Sequence, residues 1–520
     1  MQNYSPFLYI GHNPSIIKIV FLLIITNLFI QHLVLSTQMK NFHVAIIGGG
    51  VVGSAIAWEL SKYKLNTIVF EKESDVASGT SKANSGVIHS GINSKPNSLK
   101  AKFCVEGNKQ FQQLSDQLGF PINFTGKYVV AKNNEEIKEL KKLEQIGKKN
   151  RVSGLEIKTE INEPNVPCEA ALWVPSAGIV LPYQMTIAFA ENAAINNVTF
   201  LLETEVKDIK KQNESFQIKT NKGEFKSNII INAAGLNSRE IVSMLEKPDF
   251  NIYPCRGEYL VLDKNYSDLV TSMIYPVPPK ELGVLGVHIT PTIEDNILLG
   301  PSAEFIEDSN DKKTTKEMMK QLLIEAKEII PSIPEKSVIN AYSGIRCKLA
   351  SPEEGGWADY RIEESKQTTG LINLLGIESP GLTAAPAIAK YITELVSKHI
   401  DLEEKPNFKI KKQAKKFNEL PKEEQSKLIK NDPSWGRMVC RCEHITEREV
   451  IDALSNPLGA KTLSAVKYRC RAGMGRCQGG FCTQHIVRIM ENKLNMDIKD
   501  IKLKSPHSYL FTGRNREADK

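Results

Sequence analysis

The chain has 520 residues, 41% hydrophobic and 24% charged, a balance that excludes global disorder and collagen-like structure and leaves ample chain for cores without disulfide staples. A formal net charge of +7, from 67 Lys and Arg against 60 Asp and Glu, with only 7% aromatic residues, supplies neither the basic footprint nor the stacking platform of a nucleic-acid binder. The nine cysteines are an odd number in a long chain, which is not a disulfide framework.

Residues 19–35 form a hydrophobic run broken by Thr26, Asn27, Gln31 and His32, with Lys18 before it. The run is near the lower length limit for a membrane span. Residues 1–38 are therefore read as an anchor, a signal or a dispensable extension, the last with a working chain that begins at Met39. Membrane association stays open. An oxidising compartment would endanger thiols that hold metal, so the cytoplasmic side or a reducing organelle matrix is expected.

His43–Ile47 predicts an apolar strand that runs into a GxGxxG at Gly48, Gly50 and Gly53. A helix over Ser54–Tyr63 and a second strand over Asn66–Phe70 follow, ending at Glu71, 18 residues after Gly53. This is the order of a dinucleotide-binding unit. Gly48 permits the turn, Gly50 lets backbone approach pyrophosphate, Gly53 lets the helix pack on the strand, and Glu71 bonds ribose hydroxyls. Two later segments favour FAD over NAD. One is the small, turn-rich loop Ala77–Gly86, with Gly79, Thr80, Ser81 and Asn84. The other is the strand Ile229–Ile231 running into Ala233, Ala234 and Gly235, small residues where backbone passes close to a ligand. No second GxGxxG follows a strand.

Residues 401–435 are rich in Lys and Glu and read as a charged linker with a short helix over Pro421–Lys430. Beyond it lie Cys440 and Cys442, then Cys477 and Cys482, with Cys470 between the pairs. Two close thiolate pairs suit iron–sulfur or zinc, and a flavin domain in the same chain shifts the balance to a one-electron 2Fe–2S centre. Gly473, Gly475, Gly479 and Gly480 would let backbone N–H groups approach the sulfurs. The scattered Cys104, Cys168, Cys255 and Cys347 carry no motif; Cys104 and Cys168 read as inert.

From Met39 to Ile400 the chain resembles the D-amino-acid-oxidase-type superfamily of FAD enzymes, which includes FAD-dependent glycerol-3-phosphate dehydrogenases and L-2-hydroxyglutarate oxidases and dehydrogenases. The motifs that carry the resemblance are IIGGGVVGSAIAWEL, FEKE, SGTSKANSGVIHSGI, INAAG, RGEYLVLD, GVHITPTIEDNILLGPSAE, YSGIRCKL and GIESPGLTAAPAIA. GVHIT, SGIRCKL and ESPGLTAAPAIA are more similar to the hydroxyglutarate enzymes. CRCEHITEREV with RAGMGRCQGGFC instead resembles the bacterioferritin-associated-ferredoxin module of the anaerobic glycerol-3-phosphate dehydrogenase large subunit. There the ligands match Cys440, Cys442, Cys477 and Cys482, and Cys470 falls outside the pattern.

The resemblance implies an α/β fold. A Rossmann-type FAD-binding domain would be interleaved with a mixed-sheet substrate domain over 39–400, and a small helical cysteine-rich 2Fe–2S domain would occupy 436–500. A second cofactor contact is expected at Gly376, Gly381, Leu382 and Thr383, before an apolar helix over Ala384–Val396. A small anionic substrate needs a cationic clamp, for which Arg256 and Arg346 stand in motif-like contexts, with Tyr259 and Lys348 beside them. His89 and His288 are the candidate bases. The activity so implied is oxidation of a small 2-hydroxy acid such as L-2-hydroxyglutarate, with glycerol 3-phosphate as the alternative and amine or amino-acid oxidation as a further one. Electrons would pass through the 2Fe–2S centre to a quinone, a carrier protein or a partner subunit. A zinc-holding docking module on a vestigial flavin fold is the rival from another class.

Overall fold

A computed structural model describes residues 40–278 and 286–513. The expected extension 1–38 lies outside them, and among the described residues no helix is long and apolar enough to cross a membrane. The strand Lys40–Ile47 lies at the centre of a parallel array, between Thr67–Phe70 and Gly223–Asn232. Thr199–Leu201 extends the array on one side and Leu371–Leu375 on the other, both parallel. Strands covered on both faces read as unbroken apolar runs, as Thr67–Phe70 (TIVF) does, with all four residues buried.

One face is covered by the helices Val51–Leu60, Pro182–Ile195 and Gly381–Val396, which meet it through Ile56, Trp58, Phe189 and Ile388. The other is covered by the antiparallel hairpin Val206–Gln212 with Ser215–Thr220 and by the short helix Ser238–Ser243. The first helix begins three residues earlier than the pattern predicts, directly after Gly50. Gly53 is therefore its third residue.

The chain leaves this array and returns twice, and the excursions build a nine-stranded mixed sheet. Its long members are Tyr253–Leu262 and Val338–Lys348, paired antiparallel. Lys127–Ala131 pairs parallel with Met273–Pro276. The interleaving sets the second sheet over the C-terminal ends of the parallel strands, where a doubly wound sheet opens its crevice.

Residues 401–435, read as a charged linker, are a fastened strap. Asn192 and Asn196 stand one helical turn apart on Pro182–Ile195 and its end and bond both backbone groups of the strap. Asn192 donates to the Lys411 carbonyl (2.9 Å) and accepts from its N–H (2.7 Å). Asn196 does the same at Lys409 (2.7 and 2.9 Å). Phe408 packs on Trp58 and Phe417 on Trp435. Lys409, Lys411, Lys412 and Lys415 are exposed while the strap's backbone is held, and Lys405 and Lys416 reach Asn196 and Glu294, which a charge pattern cannot reveal. The helix expected here covers Lys422–Asn431.

The terminal module has its own core of Val450, Val466, Ile486 and Met490. It contains the strand pair Met438–Cys440 with Ile445–Thr446 and the helices Glu447–Leu454, Leu463–Cys470 and Thr483–Leu494. Thr446 and Glu449 form a capping box at the first of these helices, satisfying donors that would otherwise be orphaned.

Candidate functional site

A cavity of about 1020 Å³ runs between the parallel sheet and the mixed sheet. Gly48 and Gly50 line one stretch of it. Gly48 has φ of +109°, and a Cβ there would stand 2.5 Å from the Ala233 carbonyl oxygen. Gly53 does not line the cavity. A Cβ on it would stand 2.0 Å from the Gly48 carbonyl oxygen, so its part is to seat helix on strand. Glu71 closes the second strand and accepts N–H bonds from Gly49 (2.7 Å) and Glu73 (2.9 Å). Burial nevertheless raises its pKa.

Gly79, Thr80, Ser81 and Asn84 form one wall. Ser81 accepts from the Val51 N–H (2.9 Å), and Thr80 donates to the Ile345 carbonyl (2.7 Å). The loop thus ties the helix start to the mixed sheet. Asn84 bonds the carbonyls of Thr80 and Ser81 and the N–H of Gly86, which fixes its shape. Ala234, Gly235, Gly381 and Leu382 also line the cavity.

Gly376 and Thr383 do not. Gly376 turns the chain at φ +68° beside Leu349. Thr383 accepts the His89 N–H (2.9 Å) and donates to the Val87 carbonyl (3.3 Å). Both support the wall from behind. A long crevice with a carboxylate at a strand end, glycines at one helix start and a second helix start opposite fits an FAD molecule.

The far end of the cavity gathers His89, Cys104, Lys127, Tyr259, His288 and Arg346. His89 Nε2 lies 3.2 Å from Ser379 Oγ. Burial, with the Lys127 charge behind it, pushes this imidazole down to about 3 and keeps it neutral. His288 Nδ1 lies 2.9 Å from Thr290 Oγ1, and its ring stacks on Tyr275 at 4.1 Å. Burial holds it well below the usual histidine range. Tyr259 stacks on Tyr342 at 4.8 Å. Arg346 is half-buried; it donates to the Ser302 carbonyl (3.1 Å) and forms no ion pair among the described residues. Gly257 makes room for it, because a Cβ there would stand 2.8 Å from its guanidinium.

Arg256 does not belong to the clamp expected of it. It is 2% exposed and bound to Asp311 (2.8 Å) and Glu304 (2.5 Å), with Glu258 at 3.5 Å. Neighbours in a strand face opposite ways: Gly257 and Tyr259 line the cavity and Arg256 points behind it. Lys348 is also engaged. It shares the buried Glu378 carboxylate with Lys100 (3.2 and 2.9 Å) and donates to the Gly356 carbonyl (2.7 Å). Sequence reasoning missed Lys100, Lys127 and Glu378. Lys127 opens an ordinary strand, KYVVA, and only a charged residue inside an apolar run hinted at it.

In the terminal module Cys442 and Cys477 are exposed and their sulfurs lie 3.6 Å apart. Cys440 and Cys482 form a buried pair. A hydrogen bond from Cys482, with backbone N–H groups of Gly473, Glu443 and Cys442, lowers Cys440 to about 5. The Phe481 N–H and the Cys442 thiol lower Cys477. Gly475 permits the approach, since a Cβ there would stand 2.3 Å from Cys442 Cβ. No three ligating side chains converge on one point among the described residues. Two thiolate pairs with N–H groups aimed at sulfur fit two irons better than one zinc. Cys470 stands apart, pushed up to about 12 by burial and donating to the Val466 carbonyl of its own helix.

The module docks on the flavin region, against the loop after Glu71 and the helix Pro182–Ile195. Arg469 is bound by Asp75 (2.5 and 3.2 Å) and Glu191 (2.7 Å), Arg471 by Glu443 (2.8 Å) and Glu294 (3.2 Å), and Lys502 by Glu203 (2.8 Å). Tyr468 packs on Tyr183 at 5.0 Å.

Comparison with known proteins matches residues 43–395 to the FAD dependent oxidoreductase family and residues 438–492 to the BFD-like 2Fe-2S binding domain. The chain is 40% identical over 481 residues to a glycerol 3-phosphate dehydrogenase of Caloramator mitchellensis, across 91% of this chain and 98% of that one. It is 31% identical to the mitochondrial L-2-hydroxyglutarate dehydrogenase of Arabidopsis thaliana, across 68% of this chain and 83% of that one. Among solved structures, the FAD-bound L-alpha-glycerophosphate oxidase of Mycoplasma pneumoniae superposes with a TM-score of 0.67 at 32% identity, covering 71% of this chain and 98% of that one.

Proposed function

The chain belongs to the FAD dependent oxidoreductase family and carries a BFD-like 2Fe-2S domain, and on that premise we propose that it is a dehydrogenase that converts glycerol 3-phosphate to dihydroxyacetone phosphate. The observation that carries this reading is the span of likeness to the Caloramator mitchellensis protein, which includes the cysteine module as well as the flavin region. The preference drawn from the sequence motifs alone was the reverse. L-2-hydroxyglutarate remains the second reading, favoured by relatives named for that substrate, whose likeness covers 68% of the chain.

Bound FAD supplies the hydride acceptor, and a 2Fe–2S centre on Cys440, Cys442, Cys477 and Cys482 supplies a one-electron carrier. The residues do the rest. Arg346 is a cavity cation without a carboxylate partner among the described residues, and it binds the substrate anion through its planar fork. His89 is neutral, faces Ser379 Oγ through Nε2, and accepts the hydroxyl proton. Thr383 holds the His89 backbone. The electrons go to a quinone, a carrier protein or a partner subunit.

The test is an anaerobic absorption spectrum of the purified holoenzyme, repeated with each substrate. Glycerol 3-phosphate is expected to bleach the flavin bands at low concentration. Bleaching by L-2-hydroxyglutarate alone would overturn the assignment.

A further inference from the structure

Lys127 is 1% exposed and lines the reacting end of the cavity. It forms no ion pair or hydrogen bond among the described residues, and its ammonium lies over the face of Tyr275, 4.5 Å from the ring centroid. A buried, unpartnered ammonium is costly and is not retained for packing, because an apolar side chain of the same length fits a strand better. Among the described residues the neighbouring cations in this part of the cavity have hydrogen-bond partners. Lys100 and Lys348 share Glu378, and Arg346 reaches the Ser302 carbonyl.

The groups facing Lys127 come from four elements. His89 lies on the loop after Val87–Ile88, Cys104 on the helix Leu99–Asn108, Tyr275 on Met273–Pro276 and His288 on His288–Pro291. Among the described residues none is a carboxylate. The Tyr275 hydroxyl is itself buried without a partner. The missing acceptor is therefore something that enters the cavity.

We propose that Lys127 is a further catalytic residue, an ammonium that donates to the substrate's reacting hydroxyl oxygen while His89 takes that hydroxyl's proton. This rests on the reading of the site as a hydroxyl-oxidising one. The O–H proton passes to His89 Nε2, the C–H hydride leaves for the flavin, and the C–O bond becomes a carbonyl. Lys127 gains its strongest contact as negative charge builds on the oxygen, the condition for speeding the step rather than merely binding. Burial and the same charge keep His89 unprotonated before the step. Burial lowers Lys127 to about 8, so the ammonium is present at neutral pH and fades just above it.

The experiment compares wild-type holoenzyme with Lys127→Met. Three readouts are expected to move together. The anaerobic flavin-bleaching rate at saturating glycerol 3-phosphate falls on the order of 10²-fold. The basic limb of kcat/KM near pH 8, where Lys127 loses its proton, disappears. Thermal stability rises by about 2–4 °C, because a buried unpaired charge has been removed. A bleaching rate within threefold of wild type with the basic limb intact overturns the proposal. A fall in Tm also overturns it, since that marks Lys127 as a structural residue. Failure of the substrate reading is separable: wild type would then bleach with L-2-hydroxyglutarate instead, and the same comparison is run with that substrate.

Discussion

Arg469→Met tests whether the cysteine module works only when docked. Arg469 is 7% exposed at its side chain, and its partners Asp75 and Glu191 are 8% and 12% exposed. It makes three charged hydrogen bonds across the interface, two to Asp75 and one to Glu191. Removing one partner of a buried ion pair costs about 3–5 kcal/mol, because a charge is left without compensation. Here two carboxylates are left. They need not stay buried, however: undocking returns both to water. The cost therefore falls on docking rather than on the fold of either part, each of which has its own core. At 1.4 kcal/mol per tenfold, docking weakens by about 10²-fold to several 10³-fold. Tyr468 on Tyr183 and Lys502 on Glu203 oppose this in part. Anaerobic stopped-flow should then show flavin bleaching by substrate at the wild-type rate and much slower bleaching of the iron–sulfur bands. Hydrogen exchange should rise over Leu463–Cys470 while iron content holds. Cluster reduction at the wild-type rate, with unchanged exchange, would refute the reasoning.

Gly48→Ala forces a Cβ to 2.5 Å from the Ala233 oxygen at φ +109°; backbone strain alone is about 1–3 kcal/mol. The variant should purify with little FAD, read as lost flavin absorbance, and with a lowered Tm. The two arginines should separate cleanly. Arg346→Lys loses a fork-shaped donor and should cut kcat/KM by roughly 10–100-fold, whereas Arg256→Gln takes the cation from Glu258 and Glu304, leaves Asp311 to Lys313, and should lower Tm with little change in KM. His89 predicts a pH effect. Its folded pKa is about 3 against an ordinary 6.5, so between those values the unfolded chain binds more protons than the native one. Stability of the FAD-free protein should therefore fall as pH drops from 6.5 toward 3. His89→Gln should flatten that slope in a pH series of thermal unfolding.

The dinucleotide unit was legible because each part depends on its neighbours in the chain: strand, glycines, helix, strand, Glu71. The four cysteines stand out as two close pairs along the chain, but the structure pairs them the other way, Cys442 with Cys477 and Cys440 with Cys482, and Cys470, outside the family pattern, stands apart. What failed was what depends on distant chain. Arg256 and Arg346 stand in equally motif-like surroundings. Which of them faces the cavity is decided by strand register, set by the pairing of Tyr253–Leu262 with Val338–Lys348. Gly376 and Thr383 belong to the expected segment, yet one turns the chain and the other ties the His89 loop. The strap at 401–435 reads as solvated because most of its lysines are exposed. Asn192 and Asn196, which hold it, lie more than 200 residues away in sequence.

The loop after Glu71 has two working faces, an arrangement that predicts coupling between FAD binding and docking of the cysteine module. On one side Ser78 to Asn84 line the cavity. On the other Asp75 binds Arg469, Ala77 packs near Met474, and Lys82 lies over the Tyr468 ring at 5.6 Å. The loop is anchored between them by the Ala77 N–H on the Gly49 carbonyl (3.0 Å), next to the glycine turn. A ligand that orders the cavity side lowers the entropy that docking must remove from the other side. Linkage makes this reciprocal: whatever factor FAD contributes to docking, docking contributes to FAD affinity. Stripping FAD from the wild type should therefore raise hydrogen exchange over Leu463–Cys470, as Arg469→Met does. Arg469→Met should in turn release FAD more readily than wild type, measured as flavin fluorescence on dilution. If FAD removal leaves exchange in that helix unchanged, the loop is rigid without its ligand, and the cysteine module is held by the ion pairs alone.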